Sequence, residues 1–387
     1  MSKKITKKIY TTYFLRQEQP YFQGTHSKNE NYISSTFIIR SMFLTLFYEE
    51  ICFYQKKSLT LQPFLNTKCS IMRIAFTTKL PHEGFTRLSG HELYAPLAEA
   101  EVLISTFDQP VTREMIMSAP NLKLVANFGV GFNNIDLHAC RERGIRVTNT
   151  PNPVIEPTAE LAFALMHDIA RRTAEFDRKL RAGKAEPFGV MNNLSHSLYG
   201  KTLGIIGMGR IGQALARRAV ASGMRVIYNN RREVQNCSEL CSCGVESCRM
   251  VQNGLLPQYV SKEELLKTAD FVSLNLPYTP EVKHLIGEKE LKMMKPSAYL
   301  INTARGAHID EEALVIALKT GEIAGAAMDV YEHEPQIHPE LLTLDNVVLS
   351  PHTGTGTWEG RIAMCENVCD NILAWKNNEI DKMNIVL

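Results

Sequence analysis

The sequence predicts an α/β protein built on parallel sheets and divided into two domains. Three observations predict it. From residue 72 onward short apolar runs alternate with helical patterns, a glycine-rich turn joins one such run to one such helix, and 387 residues exceed a single average domain. A hydrophobic content of 44% with 22% charged residues is that of an ordinary globular chain.

Residues 1–71 stand apart from the rest of the chain. They hold ten Lys and Arg against four Asp and Glu, are aromatic and rich in Asn, Ser, Thr and Gln, and keep no sustained period. The basic start (Lys3, Lys4, Lys7, Lys8, Arg16) admits a targeting peptide; the preferred reading is an extension that is disordered or not native, with Met72 as the natural start. The remainder carries 33 basic and 37 acidic residues, so nucleic acid is not expected as a partner. The most apolar N-terminal segment is broken by Arg40, Glu49 and Glu50, and no membrane span is expected. Nine cysteines, an odd number without a convincing secretory signal, suggest reduced thiols and a cytoplasmic location.

The first strands are expected at Arg73–Phe76, Glu101–Ser105, Leu122–Asn127 and Ile145–Asn149, with helices at Glu114–Ser118 and Ile135–Arg143. Between His91 and Glu101 there is room for only a trimmed crossover. Thr150-Pro151-Asn152-Pro153 breaks the pattern and marks a domain boundary, after which Thr158–Arg172 reads as a long apolar helix. Later strands are expected at Phe271–Asn275, Ala298–Thr303, Ala324–Asp329 and Val347–Ser350, and helices at Glu311–Lys319 and Thr357–Trp375.

Lys201–Arg232 organises the rest. Thr202–Ile206 reads as a buried strand, Arg210–Ser222 as a helix closed by Gly223, and Arg225–Asn229 as a second strand. Between strand and helix, Gly207, Gly209 and Gly212 make G-x-G-x-x-G. The first permits a tight turn, the second lets backbone approach a pyrophosphate, and the third lets helix and strand pack closely. The helix N-terminus offers free N–H groups and a partial positive charge to phosphates. This context makes the turn a dinucleotide site.

Three polar residues follow later strands: Arg305 after AYLINTA, Asp329 ending GAAMD, and His352 after VVLSP, with Glu334 just beyond in YEHEP. In an open parallel sheet ligands bind beyond the carboxyl ends of the strands, so these groups can converge on the glycine turn. An NAD site wants a carboxylate about twenty residues beyond that turn; here Asn230 stands there, followed by Arg231 and Arg232. Removing the carboxylate and adding guanidiniums favours a 2′-phosphate. NADPH is therefore the preferred cofactor, with NADH possible.

The stretches NFGVGFNNID, TPNPVIEPTAELA, GIIGMGRIG, LPYTPEVKHLIG, LINTARGAHIDEEAL, GAAMDVYEHEP and LSPHTG run in that order between Met72 and the C-terminal residue. In them the chain resembles the D-isomer-specific 2-hydroxyacid dehydrogenases, most of all their glyoxylate/hydroxypyruvate reductase branch. The resemblance implies two Rossmann-like doubly wound domains. A flavodoxin-like substrate domain (72–151 and 353–387) would be split by an inserted dinucleotide-binding domain (152–352). It implies reduction of a small 2-oxo acid to the 2-hydroxy acid, with Arg305 binding the substrate, His352 as general acid and Glu334 holding the imidazole. A guanidinium suits the substrate role because its fork stays charged and bidentate, and a carboxylate beside an imidazole favours its protonated form. Amides of Val130 and Gly131 would take the substrate carboxylate. Cofactor contacts are implied for Gly207, Gly209, Arg210, Ile211, Gly212, Asn230, Arg231, Arg232, Pro277, Thr303, Ala304, Asp329 and Gly354. A homodimer is implied through the helix from Thr158 and the Phe176–Asn193 region. Within the superfamily the rival readings are phosphoglycerate dehydrogenase, which commonly has a carboxylate at the place of Asn230, and a dinucleotide-sensing corepressor.

Two departures stand out. Cys237, Cys241, Cys243 and Cys248 lie in an insertion whose C-x3-C-x-C-x4-C spacing is not a usual zinc knuckle, so no metal is expected. The loop after His352 reads HTGTGT, where the family more often has a small hydrophobic residue and a serine. Cys365 and Cys369, four apart on a helix, are expected to pack rather than to ligate.

Overall fold

The computed structural model describes residues 71–80, 82–234 and 256–387; the N-terminal extension and the Cys237/Cys241/Cys243/Cys248 insertion lie outside the described residues. Ile71–Leu387 forms one unit. Within it are two sheets, both wholly parallel among their named strands.

The first sheet comprises β1 (Arg73–Phe76), β2 (Glu92–Leu93), β3 (Val102–Thr106), β4 (Leu124–Phe128) and β5 (Arg146–Thr148) in the order β2-β1-β3-β4-β5. The trimmed crossover is real: β2 has two residues, followed by a single 3-10 turn at Leu97–Glu99. Helices α1 (Arg113–Ser118) and α2 (Leu137–Glu142) cover one face, burying Ile116, Ala139 and Cys140 against Leu103 and Val125. The C-terminal helix Trp358–Lys376 covers the other, placing Met364, Cys365, Val368 and Cys369 on Val102, Ile104, Leu124 and Ala126. Coverage of both faces explains why β3 and β4 read as continuous apolar runs instead of alternating ones. Cys365 and Cys369 are fully buried against Gly84, where a Cβ would lie 2.2 Å from that of Cys365, and burial pushes both thiols up to about 12. The last residues close the β5 edge, with Val147 N–H donating to the Leu387 carbonyl (3.0 Å) and Val386 N–H to that of Val147 (2.8 Å).

The chain then forms α3 (Ile155–Arg171) and α4 (Thr173–Arg181). α3 begins three residues before the expected Thr158, with Pro157 in its first turn, where a missing N–H costs no intrahelical bond. The helix stops at Arg172, whose φ of 56° is left-handed. The second sheet holds β6 (Thr202–Ile206), β7 (Arg225–Asn229), β8 (Gln258–Tyr259), β9 (Phe271–Leu274), β10 (Tyr299–Asn302), β11 (Gly325–Met328) and β12 (Val347–Leu349). Their order is β12-β11-β10-β9-β6-β7-β8. One face is covered by α3 and α5 (Arg210–Ala221), the other by α6 (Lys262–Thr268), α7 (Glu288–Met293) and α8 (Glu311–Thr320). α6 and α7 were not expected; at seven and six residues, with Leu265, Leu266 and Leu291 as their buried residues, they are too short to show a period. The C-terminal helix is α9 (Trp358–Lys376). Order reverses between β1 and β3 in one sheet and between β6 and β9 in the other, which are the switch points where ligand crevices open. Among the described residues no helix is long and apolar enough to cross a membrane.

Residues 182–199 run without helix or strand and expose Phe188, Val190, Met191 and Leu194. Arg172 anchors this arm by donating from Nη1 to the Leu194 carbonyl (2.9 Å), while its other donors grip Glu175 at 2.7 and 2.6 Å. Glu175 is only 8% exposed and also accepts from Lys179. The Arg172 hydrogen bond, against burial and with help from Lys179, pulls its carboxyl from the ordinary 4.5 to about 2. A carboxyl depressed in the fold stabilises fully above pH 4.5, and the contribution is lost as pH falls toward 2. Glu175→Gln is expected to lower stability at pH 7 by on the order of 2–3 kcal/mol, and by clearly less at pH 3. Chemical denaturation at both pH values checks this.

Candidate active site

The glycine turn lies at the β6/β9 switch point. Gly207 has φ 101°, and a Cβ on it would fall 2.7 Å from the Asn275 backbone, so only glycine fits between the two strand ends. A Cβ on Gly212 would sit 2.4 Å from the Gly207 carbonyl oxygen, whereas around Gly209 there is open space. Gly209 starts α5 without a side-chain cap, leaving the first-turn N–H groups free of side-chain acceptors. Arg210 is exposed and donates to Asn152 Oδ1 (2.7 Å), and Ile211 is half-buried.

Asn230, directly after β7, accepts at Oδ1 from the Met208 N–H of this turn (2.7 Å). Arg231 and Arg232 are exposed and form no ion pair among the described residues. Across the switch point the Asn275 Oδ1 and Thr303 Oγ1 atoms are buried without a hydrogen-bond partner among the described residues, and Pro277 is exposed beyond β9. Open space at Gly209, uncapped amides and unsatisfied polar atoms at the strand ends fit a dinucleotide.

The β10 end builds the Arg305 turn. Buried Asn302 accepts from the Ala304 N–H (3.0 Å) and donates to the Arg305 carbonyl (2.9 Å), fixing Thr303 to Arg305. Arg305 donates to the Ala304 carbonyl (2.6 Å) and pairs with no carboxylate among the described residues. Burial lowers its pKa against the opposing charge of Glu334, and a guanidinium stays charged regardless. Its Nη2 reaches the other sheet: a Cβ on Gly131 would lie 2.0 Å from it.

Gly131 belongs to the loop after β4, which Asn side chains shape from behind. Asn127 donates to the carbonyls of Gly129 (3.2 Å) and Gly131 (2.7 Å), and Asn149 to that of Val130 (2.9 Å). With the carbonyls held, the Val130 and Gly131 N–H groups have no partner among the described residues. Two free amides therefore lie in the loop that touches an unpaired guanidinium.

The third element is the His352 loop. Nδ1 of His352 is 2.7 Å from Glu334 Oε2, and Glu334 Oε1 accepts from the Tyr331 N–H (3.0 Å). Burial would raise the Glu334 carboxyl, but these hydrogen bonds and the charges of His352 and Arg305 outweigh it and hold the carboxyl low. An ionised carboxylate only accepts, so Nδ1 carries the proton and Nε2 is the nitrogen left to exchange one. Asp329, 1% exposed, supports the loop from below: Oδ1 accepts from Thr353 N–H (2.7 Å), Oδ2 from Gly354 N–H (2.8 Å), and its carbonyl from His352 N–H (2.8 Å). The unusual Thr353 also bonds Ser350 Oγ (2.6 Å). His352 itself has φ 54°, the left-handed strain typical of residues held for function.

The structure thus gathers Arg305, Glu334, His352, Val130 and Gly131, and separately the glycine turn with Asn230. Asn127, Asn149 and Asn302 were missed because an amide bonding a loop carbonyl leaves no sequence pattern. His308 was also missed: it is fully buried below Arg305 with neither ring nitrogen in hydrogen-bond geometry, and burial, with the Arg305 charge, pushes it down to about 4. It is neutral at pH 7. Among the described residues no group of three His, Cys, Asp or Glu side chains could hold a metal.

Residues 163–354 match the model of the D-isomer specific 2-hydroxyacid dehydrogenase, NAD binding domain. The chain is 46% identical over 292 residues to a glyoxylate reductase of Thermococcus litoralis, covering 74% of this chain and 84% of that protein. Its fold matches a glyoxylate reductase from Paecilomyes thermophila with TM-score 0.67 at 33% identity, over 80% of this chain and 96% of that one. It also matches the NADPH-dependent glyoxylate/hydroxypyruvate reductase of Sinorhizobium meliloti, solved with NADP and malonate, with TM-score 0.66 at 30% identity, over 79% and 94%. With the two doubly wound sheets and the glycine turn at the switch point, these likenesses establish that the chain belongs to the D-isomer specific 2-hydroxyacid dehydrogenase family, as an oxidoreductase with an NAD(P)-binding domain.

Proposed function

We propose that the protein reduces glyoxylate or hydroxypyruvate to the D-2-hydroxy acid, preferring NADPH and accepting NADH. The observation that carries this reading is the arrangement of an unpaired Arg305 against the free amides of Val130 and Gly131, beside a His352 imidazole backed by Glu334. A 2-oxo acid presents a carboxylate and a neighbouring carbonyl oxygen. The loop amides take the carboxylate, and the Arg305 fork bridges carboxylate and carbonyl, polarising the latter. The bound nicotinamide supplies the hydride. His352 gives its Nε2 proton to the carbonyl oxygen as charge develops there. Asp329, Thr303, Ala304, Pro277 and Gly354 would border the nicotinamide, with 72–151 and 353–387 as the substrate part and 152–352 as the dinucleotide part. The buried free thiols Cys140, Cys365 and Cys369 suit a cytoplasmic enzyme.

Wild-type protein is expected to oxidise NADPH with glyoxylate and hydroxypyruvate, followed by nicotinamide absorbance. His352→Asn should lower kcat by roughly 10²–10⁴-fold with little change in KM. Absent wild-type turnover, or an active His352→Asn protein, would reject the reading.

NADPH preference rests on Asn230 and the unpaired Arg231 and Arg232. One charge-assisted hydrogen bond to a phosphate contributes about 1.5–3 kcal/mol. Asn230→Asp combined with Arg231→Ser should therefore shift the NADPH/NADH ratio of kcat/KM by roughly tenfold or more toward NADH. An unmoved ratio places selectivity elsewhere.

The exposed apolar arm fits a homodimer interface, since a run of bare side chains such as Phe188, Val190 and Met191 is unusual on a free surface. A Phe188→Glu/Met191→Glu variant should sediment as a monomer under conditions where the wild type is a dimer. A wild type that sediments as a monomer at assay concentration removes the interface.

A further inference from the structure

A second arginine lies beside Phe107, whose ring adjoins the site already described. Arg361 sits in the first turn of α9, half-buried, with its guanidinium 5.3 Å from the centre of the Phe107 ring and 5.8 Å from that of Phe128. Among the described residues it forms no ion pair, and its one hydrogen-bond contact is the weak acceptor Met364 Sδ at 3.9 Å. Burial lowers its pKa, and the charge of Asp108 only partly opposes this. Held between two rings, the cation has cation–π partners but its N–H fork is left with donors to spare.

Its two ring neighbours adjoin the candidate active site. Phe107 follows β3, and its ring centre is 5.5 Å from that of His352. A Cβ on Gly129 would lie 3.5 Å from the Phe107 Cβ, so this side chain also borders the loop of free amides. Phe128 is the residue before Gly129. The helix carrying Arg361 begins directly after the His352 loop, with Thr357 capping it through the Gly360 N–H (3.0 Å). Phe107 thus has both the His352 ring and the spare Arg361 guanidinium against it.

We infer that Arg361, aligned by Phe107 and Phe128, is the specificity-determining residue for the substrate side chain, selecting 2-oxo acids that bear an oxygen function at C3, as hydroxypyruvate does, over glyoxylate and pyruvate. With the carboxylate on Val130, Gly131 and Arg305 and the carbonyl oxygen at His352, the C3 substituent is the part of the substrate left to meet Phe107. A hydroxyl there accepts from the guanidinium; a hydrogen or methyl cannot. A site built to hydrogen-bond a substrate hydroxyl discriminates far more strongly than an apolar pocket of the same size. Arg361 touches substrate beyond the reacting atoms, so it sets the substrate ratio and not the chemical step. The inference rests on the reductase reading above.

The test compares kcat/KM for hydroxypyruvate, glyoxylate and pyruvate in the wild type, Arg361→Met and Arg361→Lys, with NADPH affinity followed through tryptophan fluorescence. Arg361→Met is expected to lower kcat/KM for hydroxypyruvate by roughly 10–100-fold, mainly in KM. Glyoxylate and pyruvate should stay within about threefold, NADPH affinity should be unchanged, and Arg361→Lys should keep part of the preference. Equal losses on all three substrates mean a structural role and overturn the inference, as does an unchanged hydroxypyruvate/glyoxylate ratio. If Arg361→Met does not fold, Arg361→Lys decides alone: a ratio equal to the wild type's overturns the inference, and a reduced ratio supports it. Failure of the wild type to reduce any of the three instead overturns the reductase reading beneath it.

Discussion

Gly306 lies against the backbone of Tyr331 so closely that a Cβ there would fall 1.8 Å from the Tyr331 carbonyl carbon, and the spacing of the candidate catalytic groups depends on that contact. It brings the loop after β10, which carries Arg305, onto the loop after β11, which carries Glu334. The two are then tied together. The Glu332 N–H donates to Glu311 Oε1 (2.7 Å), and His284 reaches Glu332 across 2.6 Å while its backbone N–H holds the Ala307 carbonyl (2.9 Å). From the same strand end Asp329 bonds the Thr353 and Gly354 amides, and Tyr331 hydroxyl bonds the Ser350 carbonyl (2.9 Å). Three loops from three parallel strands become one rigid body, which is what a proton donor and a substrate clamp need in order to hold position to a fraction of an ångström.

That body is held at an electrostatic cost. A buried arginine without a carboxylate partner is unfavourable, because desolvation is not repaid by a Coulomb term. Here the opposing Glu334 is committed to His352 and Tyr331, so it moderates the Arg305 charge without pairing with it. The neutral His308 beneath adds no second positive charge. An Arg305 without a carboxylate partner among the described residues is what the proposed anion-binding role would need, and it would lower stability, the usual relation between function and stability at a site. Left-handed His352 belongs to the same account.

The legibility of each feature in the sequence depends on what produces it. The strands of both sheets and the glycine turn were readable because burial on two faces writes continuous apolar runs, and because Gly207 and Gly212 each face backbone that excludes any Cβ. That Arg305 and His352 stand after strand ends was readable because the apolar runs before them are, while the roles proposed for them and for Glu334 rest on the resemblance. The start of α3 was not, since the break read at Thr150-Pro151-Asn152-Pro153 put the helix start at Thr158, although Pro157 in the first turn costs the helix nothing. Asn127, Asn149 and Asn302 were invisible because their amides bond carbonyls whose directions exist only once the loops are folded. Arg361 looked like any helix residue until Phe107 and Phe128, 254 and 233 positions away, were seen around it.

The end of β7 shows how one side chain can serve structure and selectivity together. Asn230 Oδ1 takes the Met208 N–H, stitching the end of β7 to the glycine turn, whose Gly209 borders open space. A carboxylate in the same place would accept that N–H equally well, so the stitch does not require asparagine. What the change alters is the free end: an acceptor with negative charge becomes a donor without charge. A ribose hydroxyl can use either, but a 2′-phosphate is repelled by the first and can accept from the second. With Arg231 and Arg232 exposed directly beyond and carrying no ion pair among the described residues, an amide in place of a carboxylate at this strand end is the feature on which the proposed preference for the phosphorylated cofactor rests.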